Sequence, residues 1–171
     1  MTQPLNGHIT PTWNIAELEN LDMELITFRG STTPMQEYID AGHTSNNLSL
    51  YVYFDPSPMP AGVESIKKHF AHLHNVKIAI NCLTPGQYMP WHVDAYGRYI
   101  KTTGLADSTN IFRILIMAQD SQNGQYVHIG DKVHSSWCAG DWFGWYDDTP
   151  HATYNLSNTN RFIFQLTTTV S

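Results

Sequence analysis

The sequence has few charged residues and few cysteines, and it lacks both a basic cluster and a long apolar run. Charged residues make up 14% of the 171 positions, and the net charge is −6 with histidines neutral. Because Lys and Arg form no run or stripe, binding of nucleic acid by charge neutralisation is disfavoured. Two cysteines in a chain of this size are not a disulfide framework.

No apolar stretch approaches the roughly 20 residues that cross a bilayer. The first ten residues also lack the charged segment and apolar run of a secretory signal. We therefore expect no membrane association and a reducing, cytoplasmic compartment. The sequence does not indicate an oligomeric state.

Hydrophobic residues reach 42% and aromatic residues 12%, a composition typical of a folded chain with a β-rich core. The length suits one domain, 1–171, with a sizeable core. Within it, region 1–75 is mixed. Thr12 is expected to cap a helix over 13–21, short strands are expected at 25–28 and 48–54, and apolar spacing predicts a helix over 63–74.

Region 76–171 is β throughout by pattern, because short apolar or alternating segments are separated by turn residues. The predicted strands are 76–83, 88–94, 111–118, 126–129, 142–146, 152–155 and 162–168. Many short strands with regular turns indicate a sandwich or jelly roll. The fold class is therefore mostly β, with helices and strands of the N-terminal region bracing one sheet.

One constellation has the residue types of a metal site. His92 and Asp94 stand two residues apart on a predicted strand, so their side chains should share a face. His151 follows 57 residues after Asp94. Two histidines and a carboxylate on one side of an ion leave positions open, as non-haem Fe(II) requires, although other divalent metals accept the same ligands. The chain has nine histidines, so a His-x-Asp can also occur by chance.

Arg161 lies ten residues after His151, at the head of the last predicted strand. If buried, it needs a partner, and a dicarboxylate ligand fits because a guanidinium pairs with a carboxylate bidentately. The alternative is an exposed arginine at a strand end.

The combination of His92-x-Asp94, His151 and Arg161 on short strands resembles the 2-oxoglutarate/Fe(II)-dependent dioxygenases. Segment 140–161 is similar to the prolyl hydroxylase-like and aspartyl/asparaginyl β-hydroxylase-like branches, which share an acidic approach to the distal histidine, here Asp147-Asp148. The aspartyl β-hydroxylases typically lack the carboxylate ligand, so their substrate is not carried over.

This resemblance implies a double-stranded β-helix, a cupin-like jelly roll, over about 76–170. It also implies Fe(II) held by the three ligands, 2-oxoglutarate with its far carboxylate on Arg161, dioxygen as the oxidant and ascorbate as a stimulating reductant. The implied reaction hydroxylates an unactivated C–H bond of a peptidyl Pro, Asp or Asn, or of a small molecule, and releases succinate and carbon dioxide.

Four further residues are candidates for binding the cosubstrate. Tyr88 shares strand parity with His92, and Arg113 stands inside an apolar strand where it could hold a carboxylate. Asn81 and Thr153 could add hydrogen bonds. The alternatives are a core tyrosine for Tyr88 and a structural ion pair for Arg113.

Segment 95–110 follows the first two ligands and shows no clear periodicity. We interpret it as a loop that forms a lid over the metal and selects the substrate; the alternative is a solvated loop. Its cationic and aromatic side chains suit an acidic or peptide-like substrate. These lid residues are Tyr96, Arg98, Tyr99 and Lys101.

Two other functions remain open from the sequence. One is a cupin-like metal enzyme that uses the same ligands without 2-oxoglutarate, and the other is a non-catalytic jelly-roll binding module. Arg161 discriminates the first of these, because such an enzyme needs no cation at that position.

Overall fold

A computed structural model of the chain describes residues 5–28 and 35–170. In chain order its strands are β1 (Asn6–His8), β2 (Glu24–Thr27), β3 (Ser49–Phe54), β4 (His74–Leu83), β5 (Tyr88–His92), β6 (Ile111–Met117), β7 (Gln125–Ile129), β8 (Lys132–His134), β9 (Asp141–Tyr146), β10 (His151–Asn155) and β11 (Arg161–Thr169). The helices within these ranges are α1 (Ile15–Leu18), α2 (Met35–Asp40), α3 (Glu64–His69) and α4 (Gly97–Thr103).

The strands form two antiparallel sheets. The larger sheet has the order β1-β9-β6-β11-β4-β3-β2, and the smaller has the order β5-β10-β7-β8. Apolar residues of both sheets, such as Leu115 of β6 and Val127 of β7, pack in one core between them. The fold is a jelly roll, and the prediction of a mostly β protein is confirmed.

A second core lies on the other face of the larger sheet. Strand β11 alternates between the two, with Phe162 and Phe164 in the second core and Ile163 in the core between the sheets. Helices α1 and α3 contribute Leu18 and Ile66 to the second core. This alternation, visible in the sequence, decides that Arg161 points between the sheets.

The first 75 residues add strands to both edges of the larger sheet, since β1 pairs with β9 and β3 pairs with β4. Two sequence predictions here are wrong. The cap of α1 is Asn14, whose side chain accepts from the Ala16 N–H, whereas Thr12 donates to the carbonyl of Gly62. Helix α3 ends at His69 rather than near His74, because His74 already pairs with Thr169 in the sheet.

The prediction of an irregular loop over 95–110 is also wrong, because this segment contains helix α4. Tyr96 and Tyr99 are buried and form a small core with Ile111, and Ile100 packs against it. Gly104 ends the helix in the left-handed conformation, with φ of 72°, where a residue without Cβ is favoured. No helix among the described residues is long and apolar enough to cross a membrane.

Candidate metal centre

The two predicted histidine ligands are direct neighbours in the smaller sheet. His92 is the last residue of β5 and His151 is the first residue of β10, and the two pair across the strands with ring centroids 4.3 Å apart. Asp94 lies two residues beyond the end of β5 rather than within the strand. The possible ligand atoms of all three residues lie within 4.8 Å of one another.

Backbone carbonyls orient both imidazoles. The Nδ1 of His92 lies 2.6 Å from the carbonyl oxygen of Pro90, and the Nδ1 of His151 lies 3.0 Å from that of Thr149. A carbonyl only accepts, so each Nδ1 carries the proton and each Nε2 presents a lone pair. Burial lowers the pKa of His151 to about 4, which keeps this ring neutral at pH 7, as metal ligation requires.

The carboxylate of Asp94 lies close to the Nε2 atoms of both rings. Its Oδ1 is 3.6 Å from the Nε2 of His92, and its Oδ2 is 3.6 Å from the Nε2 of His151. Burial opposes ionisation, but the adjacent guanidinium of Arg113 outweighs it and holds the pKa of Asp94 well below its usual range. Two imidazole nitrogens and one carboxylate are a ligand set that fits a divalent ion such as Fe(II).

Arg113 is the ion-pair partner of Asp94, with Nη2 at 2.9 Å from Oδ2. Its side chain is buried, its Nη1 donates to the hydroxyl of Thr167 at 2.7 Å, and its guanidinium lies over the ring of Tyr96. The sequence left two roles open for Arg113, a carboxylate-binding residue of the cosubstrate site and a member of a structural ion pair. The contact with Asp94 corresponds to the ion pair. Beyond the need of a buried arginine for a carboxylate, no sequence signal identifies Asp94 as its partner.

Arg161 occupies a different environment, because no acidic side chain pairs with it among the described residues. It is 1% exposed, and its Nη1 donates to the carbonyls of Tyr126 and Tyr154, both at 3.0 Å. Its Nε and Nη2 are buried without a hydrogen-bond partner in the described part of the chain, and the guanidinium lies over the ring of Trp137. Burial lowers its pKa to about 9, which leaves the group charged at pH 7.

A cavity of about 180 Å³ lies between the sheets, and all three ligands line it. Asn81 and Thr153, predicted to bind a cosubstrate, line it too; the Asn81 amide donates to Gln165 at 3.0 Å. Ile163, two residues after Arg161 on the same strand face, lines the same cavity. Gln165 lines it as well, and sequence reasoning gave this residue no site role.

Tyr88 is not brought to the metal ligands. Its hydroxyl contacts the Nδ1 of His43, and its ring stacks on Tyr154. Strand parity failed here because the pairing of β5 with β10 shifts register between His151 and Thr153.

The predicted lid residues lie at the start of helix α4 and within it, and they point to two different environments. Tyr96 and Tyr99 face the small core and are buried, whereas Arg98 and Lys101 are exposed. The guanidinium carbon of Arg98 lies over the ring of Phe54, 4.1 Å from the ring centroid. A cavity of about 220 Å³ beside α4 is lined by Tyr96, Arg98 and Tyr99 together with Arg113. The lid role itself stays a prediction.

Two aromatic rings shield the ligands. The ring of Phe28 makes an edge contact with the ring of His92, with their centroids 5.0 Å apart, and the ring centroids of Trp145 and His151 lie 4.5 Å apart. An open cleft of about 560 Å³ reaches His92 and Asp94 from outside, between segment 24–28 on one side and Met89 with segment 92–95 on the other.

A scan against protein-family models and a search of curated proteins gave no match. Solved structures do match. A prolyl-4-hydroxylase of Pseudomonas putida is 10% identical with a TM-score of 0.55, over 71% of this chain and 72% of that chain. A Thermotoga maritima protein described as a predicted oxalate decarboxylase is 13% identical with a TM-score of 0.50, over 89% of this chain and 96% of that chain. At these identities the likeness establishes a jelly-roll fold, and the chain places a His-Asp-His constellation suited to a metal ion within it.

Proposed function

We propose that the protein is an Fe(II)- and 2-oxoglutarate-dependent dioxygenase that hydroxylates an unactivated C–H bond of a peptidyl residue or a small molecule. The observation that carries the proposal is Arg161, a buried guanidinium with two unused donor nitrogens and no carboxylate partner among the described residues. A charge in such a position is unfavourable unless an anion reaches it.

The metal would be held by His92, Asp94 and His151. Their donor atoms come from one edge of the smaller sheet and the turn after β5, so they cover one side of an ion and leave the other side open. Bound there, Fe(II) together with 2-oxoglutarate supplies the oxidation by dioxygen that inserts oxygen into a C–H bond and releases succinate and carbon dioxide.

Arg161 would hold the far carboxylate of 2-oxoglutarate through Nε and Nη2. These two nitrogens form one side of the guanidinium fork and match a carboxylate bidentately. Nη1 is already fixed by two strand carbonyls, so the fork would be preorganised. Ile163 and Gln165, which share a face of β11 with Arg161, line the cavity together with the metal ligands. Arg161 itself lies outside that lining, so the far carboxylate would have to extend past Ile163 to meet it.

Arg113 would have a different task. Its ion pair at 2.9 Å fixes the carboxylate of Asp94 and balances its charge when no metal is bound. The rings of Phe28 and Trp145 against the two histidines would exclude water from the ligand side, which protects reactive chemistry from side reactions.

The test is incubation of the purified protein with Fe(II), ascorbate and 2-oxoglutarate in air, with succinate as the readout. We expect succinate at a slow rate even without substrate, and a visible charge-transfer band when Fe(II) and 2-oxoglutarate are added without oxygen. His92→Ala should abolish both signals, whereas His134→Ala, a histidine outside the ligand set, should change neither. Absence of both signals in the wild type, with metal content unaffected by His92→Ala, would refute the proposal. Tight metal binding without any response to 2-oxoglutarate would favour a cupin-like metal enzyme of another kind.

A further inference from the structure

Strand β2 is the last strand of the larger sheet, and it forms one wall of the cleft that leads to the metal ligands. All four of its residues and Phe28, which follows it, line that cleft. The ring of Phe28 touches the ring of His92. The edge of the sheet therefore runs directly beside the candidate metal centre.

The register of β2 on β3 determines which backbone groups point into the cleft. The Phe28 N–H donates to the Leu48 carbonyl at 2.7 Å, and in the same register Ile26 lies opposite Leu50. Because residues of an antiparallel pair alternate in the direction of their N–H and C=O groups, Ile26 also bonds to β3. The N–H and C=O groups of Leu25 and Thr27 therefore point away from β3, into the cleft.

The N–H and C=O groups of Leu25 and Thr27 thus form a two-residue repeat, roughly 7 Å apart, on the open edge. Within residues 5–28 and 35–170, no backbone partner for these groups is found. Unpaired groups at this spacing are the template that an extended peptide uses when it adds to a sheet. A small molecule does not match such a repeat.

We propose that the substrate is an extended peptide segment that adds to β2 as an antiparallel strand; this rests on the proposed function. The peptide residues opposite Leu25 and Thr27 exchange backbone hydrogen bonds with them. The residue opposite Ile26 has its side chain on the same sheet face as Ile26. Since Ile26 lines the cavity with His92 and His151, the residue opposite Ile26 is the one that is hydroxylated.

This geometry determines where the peptide tolerates a missing N–H. The target residue, opposite Ile26, turns its own N–H away from β2, so proline or an N-methyl group fits there. The two flanking residues donate to the carbonyls of Leu25 and Thr27, so an N-methyl group on either one removes a hydrogen bond. Each such loss is expected to weaken binding about tenfold.

Binding is tested with the capped peptides Ac-Lys-Ala-Val-Xaa-Val-Ala-Lys-NH2, in which Xaa is Pro, Asp or Asn. Their lysines complement the net charge of −6. In protein loaded with diamagnetic Zn(II), amide hydrogen exchange by NMR should show new protection at Leu25 and Thr27 but no change at Ile26. N-methylation of either flanking Val should reduce this protection about tenfold at equal concentration, whereas N-methylation of the central Asn should not.

Thr27→Pro is the matching change in the protein, because an edge strand accepts proline where the N–H faces outward. It should weaken peptide binding about tenfold, because one backbone hydrogen bond is lost; unchanged peptide affinity in a Thr27→Pro protein with a wild-type circular dichroism spectrum would overturn the inference. Succinate formation in the absence of any peptide protection at millimolar concentration would overturn the inference and leave the proposed function standing. No succinate from the wild type would overturn the proposed function instead. Protection of Leu25 and Thr27 that depends on protein concentration alone would identify a second copy of the chain as the occupant and overturn the inference.

Discussion

Replacement of Arg161 by methionine separates what this side chain does for folding from what it does for ligand binding. Burial lowers its pKa from the usual value of an arginine to about 9. At about 1.4 kcal/mol per pKa unit, keeping the guanidinium charged in the folded, ligand-free protein costs on the order of 5 kcal/mol. Below pH 9 both folded and unfolded chains carry the charge, so this penalty is fully present at pH 7. It declines as the pH rises above 9, because the folded protein loses this proton before the unfolded chain does.

Methionine fills a similar length without a charge, so Arg161→Met removes this penalty. It also removes the two hydrogen bonds from Nη1 to the carbonyls of Tyr126 and Tyr154, which are worth roughly 1.5–3 kcal/mol each for a charged donor. The two effects nearly cancel. We expect the ligand-free variant to unfold in urea within about 2 kcal/mol of the wild type, as found when buried charges are replaced by apolar side chains.

The ligand-bound state should respond very differently. At 2-oxoglutarate concentrations about 100-fold above Kd, binding adds about 2.7 kcal/mol to the free energy of unfolding. For a chain of this length that raises the Tm by roughly 5–10 °C. The wild type should show this increase in differential scanning fluorimetry with Zn(II) present, and Arg161→Met should not. Its affinity for the metal alone should be unchanged.

Two results would refute this reasoning. If Arg161→Met retains the Tm increase with 2-oxoglutarate, the cosubstrate does not use this arginine. If the ligand-free variant loses more than about 4 kcal/mol of stability, Arg161 is a structural residue whose unused donors need no ligand. Lys132→Met, an exposed cation in β8, is the control for removal of a positive charge.

Three other measurements test the structure. Asp94→Asn should abolish metal binding and lower the free energy of unfolding by roughly 3 kcal/mol, because it leaves buried Arg113 without its carboxylate at 2.9 Å. The control Asp148→Asn removes an exposed carboxylate and should change the free energy of unfolding by less than about 0.5 kcal/mol. An equal effect of the two substitutions would contradict the ion pair. Gly140→Ala should lower the free energy of unfolding by about 3 kcal/mol or more, because the φ of Gly140 is +90° and a Cβ there would lie 2.0 Å from the carbonyl oxygen of Ile9. The matched control is Gly97→Ala at the start of α4, where a Cβ meets open space. This second change should raise the free energy of unfolding by up to about 1 kcal/mol. Iodoacetamide should alkylate the folded protein once, at exposed Cys138, because burial raises the pKa of Cys82 to about 12; mass spectrometry that finds two adducts before unfolding would show that Cys82 is accessible.

Strand alternation made much of the fold predictable. The last strand places Phe162 and Phe164 on one face and Arg161 with Ile163 on the other, as the sequence pattern indicates. The reason is that side-chain direction in a strand has a period of two and each face meets a different core. The same rule did not predict that His92 and His151 are neighbours, which follows from the pairing of β5 with β10.

Alternation failed where the chain leaves the strand. Asp94 follows the end of β5, so its approach to the histidines depends on the turn and on Arg113 rather than on parity. Helix α4 was missed because its apolar face consists of Tyr96, Tyr99 and Ile100, a helical spacing too short to stand out among polar neighbours. The contact between Arg113 and Asp94 joins residues whose proximity depends on the tertiary fold, and no local pattern reports it.

The direct pairing of His92 with His151 has a consequence for how the protein acquires metal. Segments that are far apart in the chain are already held together there by strand hydrogen bonds, and Asp94 is held by Arg113. The ligand geometry therefore exists before an ion arrives, unlike in small zinc domains that fold only around their metal. We expect the apoprotein to be folded, so that loading and removal of the ion with a chelator are reversible and the far-ultraviolet circular dichroism spectrum is the same in both states.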